Sequence, residues 1–153
     1  MDAIAAIYGY YAIHSHVTFD VSPPSGEHWR ARFEAESAAG RYETVVAEVD
    51  EQVVGFAKTS RFRERAAYDP SVEVSVYRAH DTTIGRLGSA LYGALFERIG
   101  DKGFHRAYAA IAIPNDASIA LHERFGFARA GTFHEVGRKF DRWWDVAWYQ
   151  KSL

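Results

Sequence analysis

Between Val72 and Phe127 the chain carries, in order, an alternating apolar and polar run, a glycine-punctuated turn, leucines at helical spacing, and a second apolar run ending at Pro114-Asn115-Asp116. That order predicts strand, helix, strand, with which a small α/β domain can hold a phosphate-bearing ligand beside a general base. Val72, Val74 and Val76 alternate with Glu73, Ser75 and Tyr77, so one face of the first strand is apolar and the other aligns a carboxylate, a hydroxyl and a phenol. The segment Thr83 to Gly88 then opens a helix marked by Leu87, Leu91 and Leu95. A helix start with glycines nearby can offer unpaired N–H groups to an anion.

Composition narrows the classes. A hydrophobic content of 48% in 153 residues supplies one sizeable core, so residues 1–153 read as a single domain. A net charge of -2 with interspersed signs gives no basic field for nucleic acid, and no apolar run is long enough to cross a bilayer. The opening residues are apolar but carry Asp2 where a secretory leader carries positive charge, so they read as part of the domain. The absence of cysteine excludes disulfides and thiolate metal sites and fits a reducing cytoplasm. The histidines are scattered, with only His14 and His16 near each other, and no metal is expected.

Residues Ala3 to His14 read as a helix with Ile4, Ile7, Tyr8 and Tyr11 on one side, and Glu27 to Ala39 as a second, after the loop Ser22 to Gly26. Thr44 to Val49 and Gln52 to Ala57 read as a hairpin turning at Asp50-Glu51, its second strand running towards Arg61. Beyond the central helix follow a buried strand, Ala107 to Ile113, and a short helix, Ser118 to Phe125, stopped at Gly126. Two last strands lie near Ala130 to Val136 and Asp145 to Ser152. Arg61, Arg63 and Arg65 share a face if the chain there stays extended, and Trp143, Trp144 and Trp148 form an aromatic cluster suited to core or subunit interface.

The segments Phe62-Arg63-Glu64-Arg65-Ala66-Ala67-Tyr68, Val72-Glu73-Val74-Ser75-Val76-Tyr77, Pro114-Asn115-Asp116-Ala117-Ser118-Ile119-Ala120-Leu121-His122-Glu123 and Gly137-Arg138-Lys139-Phe140-Asp141-Arg142-Trp143 stand in an order with a family counterpart. Together they resemble the GCN5-related N-acetyltransferases, in particular the phosphinothricin and methionine sulfoximine acetyltransferase branch. The resemblance implies an α/β fold with a central mixed, mostly antiparallel, twisted sheet flanked by helices. The family has a strand before its first helix, whereas this sequence begins inside that helix, so either that edge strand is absent or the natural start lies upstream of Met1. Acetyl-CoA is then the cosubstrate, without a metal, and the partner is a small-molecule amine of the phosphinothricin, methionine sulfoximine or methionine sulfone type; the alternatives are another amine, such as a polyamine or a protein N-terminus, or a non-catalytic acyl-CoA-binding module with a degenerate phosphate turn. A homodimer is the implied assembly.

Residue roles follow from the same resemblance. Glu73 becomes the general base, acting directly or through water, and His122 a catalytic residue that protonates the departing thiolate or assists the base; the alternative for His122 is a packed or capping side chain. Val76, Tyr77, Thr83, Gly85, Arg86, Leu87, Gly88, Ser89, Asn115 and Ser118 are expected to bind acetyl-CoA, although Asn115 also suits plain helix capping. Phe19, Arg63, Arg65, Tyr68 and Ser75 are expected to bind the acceptor, the arginines through its carboxylate. The family's phosphate turn reads Gln/Arg-x-x-Gly-x-Gly/Ala, and of the matching Thr83 to Gly88 only the final glycine is in register. Arg86 therefore either obstructs the close approach of backbone to pyrophosphate or adds a charged contact, while Gly85, one place early, offers a local slip that restores the turn.

Overall fold

A computed structural model describes all 153 residues. Two helices come first, α1 (Asp2–His14) and α2 (Gly26–Ala38). The Ser25 hydroxyl caps α2 by accepting from the His28 N–H at 3.1 Å. The hairpin β1 (Thr44–Val49) and β2 (Gln52–Arg61) follows. Its turn residues Asp50 and Glu51 both have positive φ, 48° and 62°, the left-handed pair whose twist matches the two strands. Then come β3 (Ser71–Arg78), α3 (Leu87–Ile99), β4 (Arg106–Ile113), α4 (Asp116–Arg124), β5 (Ala128–Lys139) and β6 (Arg142–Ser152). The strands form one mixed sheet in the order β1-β2-β3-β4-β6-β5, antiparallel except where β3 meets β4.

The strand alternation decides which helix covers which face. Val72 and Val74 of β3, with Ala107, Ala109 and Ile111 of β4, pack against Leu87, Leu91, Tyr92 and Leu95 of α3 to make the main core. The opposite face of β2 offers Phe56 to Ile4 and Ile7 of α1 and Trp29 of α2. Helices thus cover both faces, and the polar side of β3 is left between them.

Three expectations need correction. The last two strands run further than their apolar pattern suggests and meet at a tight turn, Phe140-Asp141, where φ is 55° and 54°. Residues 137–144 are held by ladder pairing and by contacts to the loop after α1, so they show little core periodicity. Arg61, Arg63 and Arg65 do not share an extended face, because β2 ends at Arg61 and a short 3-10 helix, Ala66–Tyr68, follows. The tryptophans do not form one cluster: Trp144 stacks on His16 at 4.0 Å, Trp148 packs near Phe62 and Phe133, and Trp143 is exposed.

Candidate active site

Strands β3 and β4 pair at only three positions, Ser71 with Arg106, Val72 with Ala107, and Glu73 with Tyr108. Past Glu73 the strands part. Val74, Ser75 and Tyr77 on one side, and Ala110 and Ala112 on the other, line two adjoining cavities, with Val17 common to both. Glu73 therefore stands where the gap opens. Burial pushes its carboxyl above the ordinary range, while the charges of Arg63, then Lys58 and Arg32, draw it back down. A carboxyl in that setting is a better proton acceptor than a free glutamate.

The first cavity, about 290 Å³, holds Glu73 with Ser60 and Lys58 of β2, Trp29 and Arg32 of α2, and Thr18, Phe19 and Asp20 from the loop after α1. The Tyr8 hydroxyl donates to Asp20 Oδ2 at 2.7 Å and lies 2.5 Å from Thr18 Oγ1. Burial pushes the Tyr8 phenol up to about 12, so it remains a donor throughout the working range. Lys58 is buried, with Nζ 3.0 Å from Glu36 Oε1; burial lowers its pKa and Glu36 opposes the shift. The cavity thus carries both signs of charge, as a zwitterionic ligand requires.

The second cavity, about 380 Å³, is more apolar and lies at the start of α3. Val76, Tyr77, Arg86, Leu87, Gly88, Ser89, Asn115, Ser118 and His122 all line it. The first α-helical bond here runs from the Ala90 N–H to the Arg86 carbonyl, so the amides of Leu87, Gly88 and Ser89 lie ahead of the ladder and face the N-terminal end of the helix dipole. Three guanidiniums surround that end, from Arg78, Arg86 and Arg124. Arg124 Nη1 donates to Ser89 Oγ at 3.1 Å, and Arg78 donates to the Thr82 carbonyl at 2.5 Å. A Cβ on Gly88 would come within 2.9 Å of Leu121 Cδ2, so the glycine also lets α4 approach α3. The donor set suits a polyanion with an attached apolar arm, which is the chemistry of a coenzyme A thioester.

The structure distributes the other expected residues unevenly. Thr83 and Gly85 line neither cavity. The left-handed conformation in the turn belongs to Arg86, φ 58°, and not to Gly85. Asn115 caps α4 by accepting from the Ser118 N–H at 3.2 Å, so capping and cavity lining coincide. His122 is buried, with Nδ1 2.7 Å from the Ser118 carbonyl and Nε2 2.8 Å from the Tyr92 hydroxyl. A carbonyl only accepts, so Nδ1 carries the proton and Nε2 receives that of Tyr92. Burial lowers the imidazole pKa and the Ser118 bond opposes it. Of the two readings of His122, this geometry favours the packed one.

Phe19 and Ser75 line the cavity beside Glu73, whereas Arg63, Arg65 and Tyr68 stand outside it. Arg63 lies over the rings of Phe62 and Trp148, at 4.4 and 5.4 Å, and its field still reaches Glu73. Sequence reasoning missed Arg78, Arg124, Lys58, Arg32 and Asp20. Only Arg78 carried a usable signal, its place one residue beyond the polar strand face.

A family model described as an acetyltransferase (GNAT) domain matches residues 1–148. The chain belongs to the GNAT acetyltransferases. This acetyltransferase is 43% identical over 149 residues to the phosphinothricin N-acetyltransferase of Streptomyces coelicolor, covering 96% of this chain and 87% of that protein. It is 33% identical over 153 residues to the L-methionine sulfoximine/L-methionine sulfone acetyltransferase of Pseudomonas aeruginosa, covering 100% of this chain and 89% of the relative. The solved GNAT phosphinothricin acetyltransferase of Sinorhizobium meliloti, in complex with AcCoA, superposes with a TM-score of 0.90 at 34% identity, over 100% of this chain and 86% of that one.

Proposed function

We propose that this acetyltransferase moves the acetyl group of acetyl-CoA to the α-amine of a small amino-acid-like acceptor of the phosphinothricin, methionine sulfoximine or methionine sulfone type. The observation that carries the reading is Glu73 in a cavity carrying both signs of charge, which shares Val74, Ser75 and Tyr77, the strand residues just beyond Glu73, with an adjoining cavity fitted to a polyanionic thioester. The names of the relatives from Streptomyces coelicolor and Pseudomonas aeruginosa support the acceptor class.

An alkylammonium with a pKa near ~10 costs roughly 4 kcal/mol to deprotonate at neutral pH. Glu73, with its raised pKa, takes that proton directly or through one water. The free amine attacks the thioester carbonyl, the C–N bond forms, the C–S bond breaks, and the thiolate leaves and takes a proton from solvent. Transfer is direct within a ternary complex, since no cysteine is present to carry the acetyl group. The Val76, Tyr77 and Leu87 to Ser89 segments with Asn115 and Ser118 hold the thioester arm and phosphates, Arg86 adds a guanidinium, and Phe19 and Ser75 enclose the acceptor. Arg63 attracts the acceptor's carboxylate from the rim. His122 holds Tyr92, and with it α4 against α3, beside the second cavity.

The protein works as a homodimer in the cytoplasm. The edge strand β5 is largely exposed and, with the turn beyond it, leaves Phe133, Val136, Phe140 and Trp143 more than half exposed, an apolar patch suited to a second copy.

Calorimetric titration with acetyl-CoA, followed in the same cell by L-methionine sulfone and L-phosphinothricin, tests the assignment. Binding followed by turnover heat is expected. Binding without turnover by either amine would remove the acceptor class, and no binding would remove the cosubstrate.

A further inference from the structure

We infer that Lys139 and Gly137, on the hairpin of β5 and β6, are positioning residues that set the wall of the acceptor cavity. The inference rests on the acceptor occupying the cavity beside Glu73. That wall is the loop after α1, which brings Val17, Thr18, Phe19 and Asp20 to the cavity. The hairpin grips this loop at three points.

Lys139 is 5% exposed, and its ammonium donates to the carbonyls of Ser15 at 2.7 Å, Thr18 at 2.8 Å and Tyr11 at 3.4 Å. These oxygens lie in the last turn of α1 and just beyond it, where helical N–H partners run out and a cation suits the helix dipole. An ammonium has three protons, so this set engages all of them. Two residues earlier, the Phe19 ring lies against the backbone of Gly137. A Cβ there would stand 2.2 Å from Phe19 Cε2 and 2.6 Å from Cζ, so a side chain at 137 would have to move the ring. At the third point the Trp144 indole donates to the Lys139 carbonyl at 2.9 Å and stacks on His16, whose Nε2 donates to the Pro114 carbonyl at 2.9 Å.

Gly137, Lys139 and Trp144 line neither cavity themselves, so whatever they do for the reaction passes through the loop. Residues 15–20 of the loop contribute four side chains to the acceptor cavity but only Val17 to the other. Loosening the grip should therefore weaken the acceptor and spare acetyl-CoA. A side chain that merely kept the protein folded would show no such selectivity.

The test is steady-state kinetics of Lys139→Met, Lys139→Arg and Gly137→Ala with each substrate varied in turn, beside hydrogen exchange of the amides of residues 16–20. Lys139→Met is expected to raise the KM for L-methionine sulfone by about tenfold or more, to leave that for acetyl-CoA within about twofold, and to speed loop exchange, with Lys139→Arg recovering part of each change. Gly137→Ala should alter the relative kcat/KM for L-methionine sulfone and L-phosphinothricin. Equal changes in both KM values, or none, overturn the inference. If Lys139→Met does not fold, Gly137→Ala decides, and an unaltered acceptor preference in that variant overturns it. A wild type that acetylates neither amine overturns the acceptor reading itself, and this inference with it.

Discussion

The hydroxyl of Tyr92 on α3 donates to Nε2 of His122 on α4 across 2.8 Å, with both side chains buried. This bond ties together the two helices that flank the second cavity. Tyr92→Phe leaves the imidazole nitrogen without a donor, and urea unfolding is expected to show a loss of about 1–3 kcal/mol. The pair also sets a pH dependence. Burial lowers the folded pKa of His122, so once the pH falls below the unfolded value near ~6.5 the unfolded chain takes up the proton first. Stability is lost from there down to the folded pKa. His122→Gln should flatten that decline, and an equally steep decline in the variant would assign it to other groups.

Glu73→Gln keeps the shape of the side chain and removes its basicity. Turnover at neutral pH is expected to fall about 10²- to 10⁴-fold, with acetyl-CoA affinity by calorimetry nearly unchanged. An unaltered kcat would remove Glu73 as the base.

The pH profile of the wild type carries a second signature. The proposed base must be ionised to accept a proton, and burial raises the pKa of Glu73, so the acidic limb of kcat/KM should lie above the ordinary carboxylate range. Arg63 holds that pKa down. Arg63→Met should therefore move the acidic limb to higher pH as well as weakening the acceptor. A limb that stays in place while the acceptor KM rises would leave Arg63 with substrate binding alone.

Arg86 adopts φ 58° at the start of α3, a conformation that costs a side-chain-bearing residue roughly 1–2 kcal/mol. Arg86→Gly is thus expected to raise the melting temperature of the free protein and to weaken coenzyme A binding through loss of a guanidinium beside the phosphates. Tighter binding in the variant would identify Arg86 as an obstruction.

Much of the fold is readable where a local pattern and its burial agree. Val72 to Tyr77 alternates because one face meets α3 and the other faces the gap, and Asp50-Glu51 joins two short apolar runs as a turn should. The hairpin around Phe140 is obscured because Arg138, Lys139 and Arg142 interrupt any core pattern, and Lys139 is buried only by virtue of carbonyls far away in the chain. The candidate site divides along the same line. Glu73 and the start of α3 are legible as motifs, while Arg124, Lys58 and Asp20 reach the cavities through the crossing of elements distant in sequence. The expected sharing of a face by Arg63 and Arg65 fails because a strand end cannot be read from alternation among charged residues.

The parting of β3 and β4 leaves a row of main-chain amides and carbonyls in the middle of the sheet without a partner strand. In energetic terms the free protein is an incomplete sheet, and a ligand with an extended amide-bearing arm can complete it. Acetyl-CoA would then act as a folding ligand as well as a reactant, raising thermal stability in proportion to the logarithm of its concentration, before any acceptor is present.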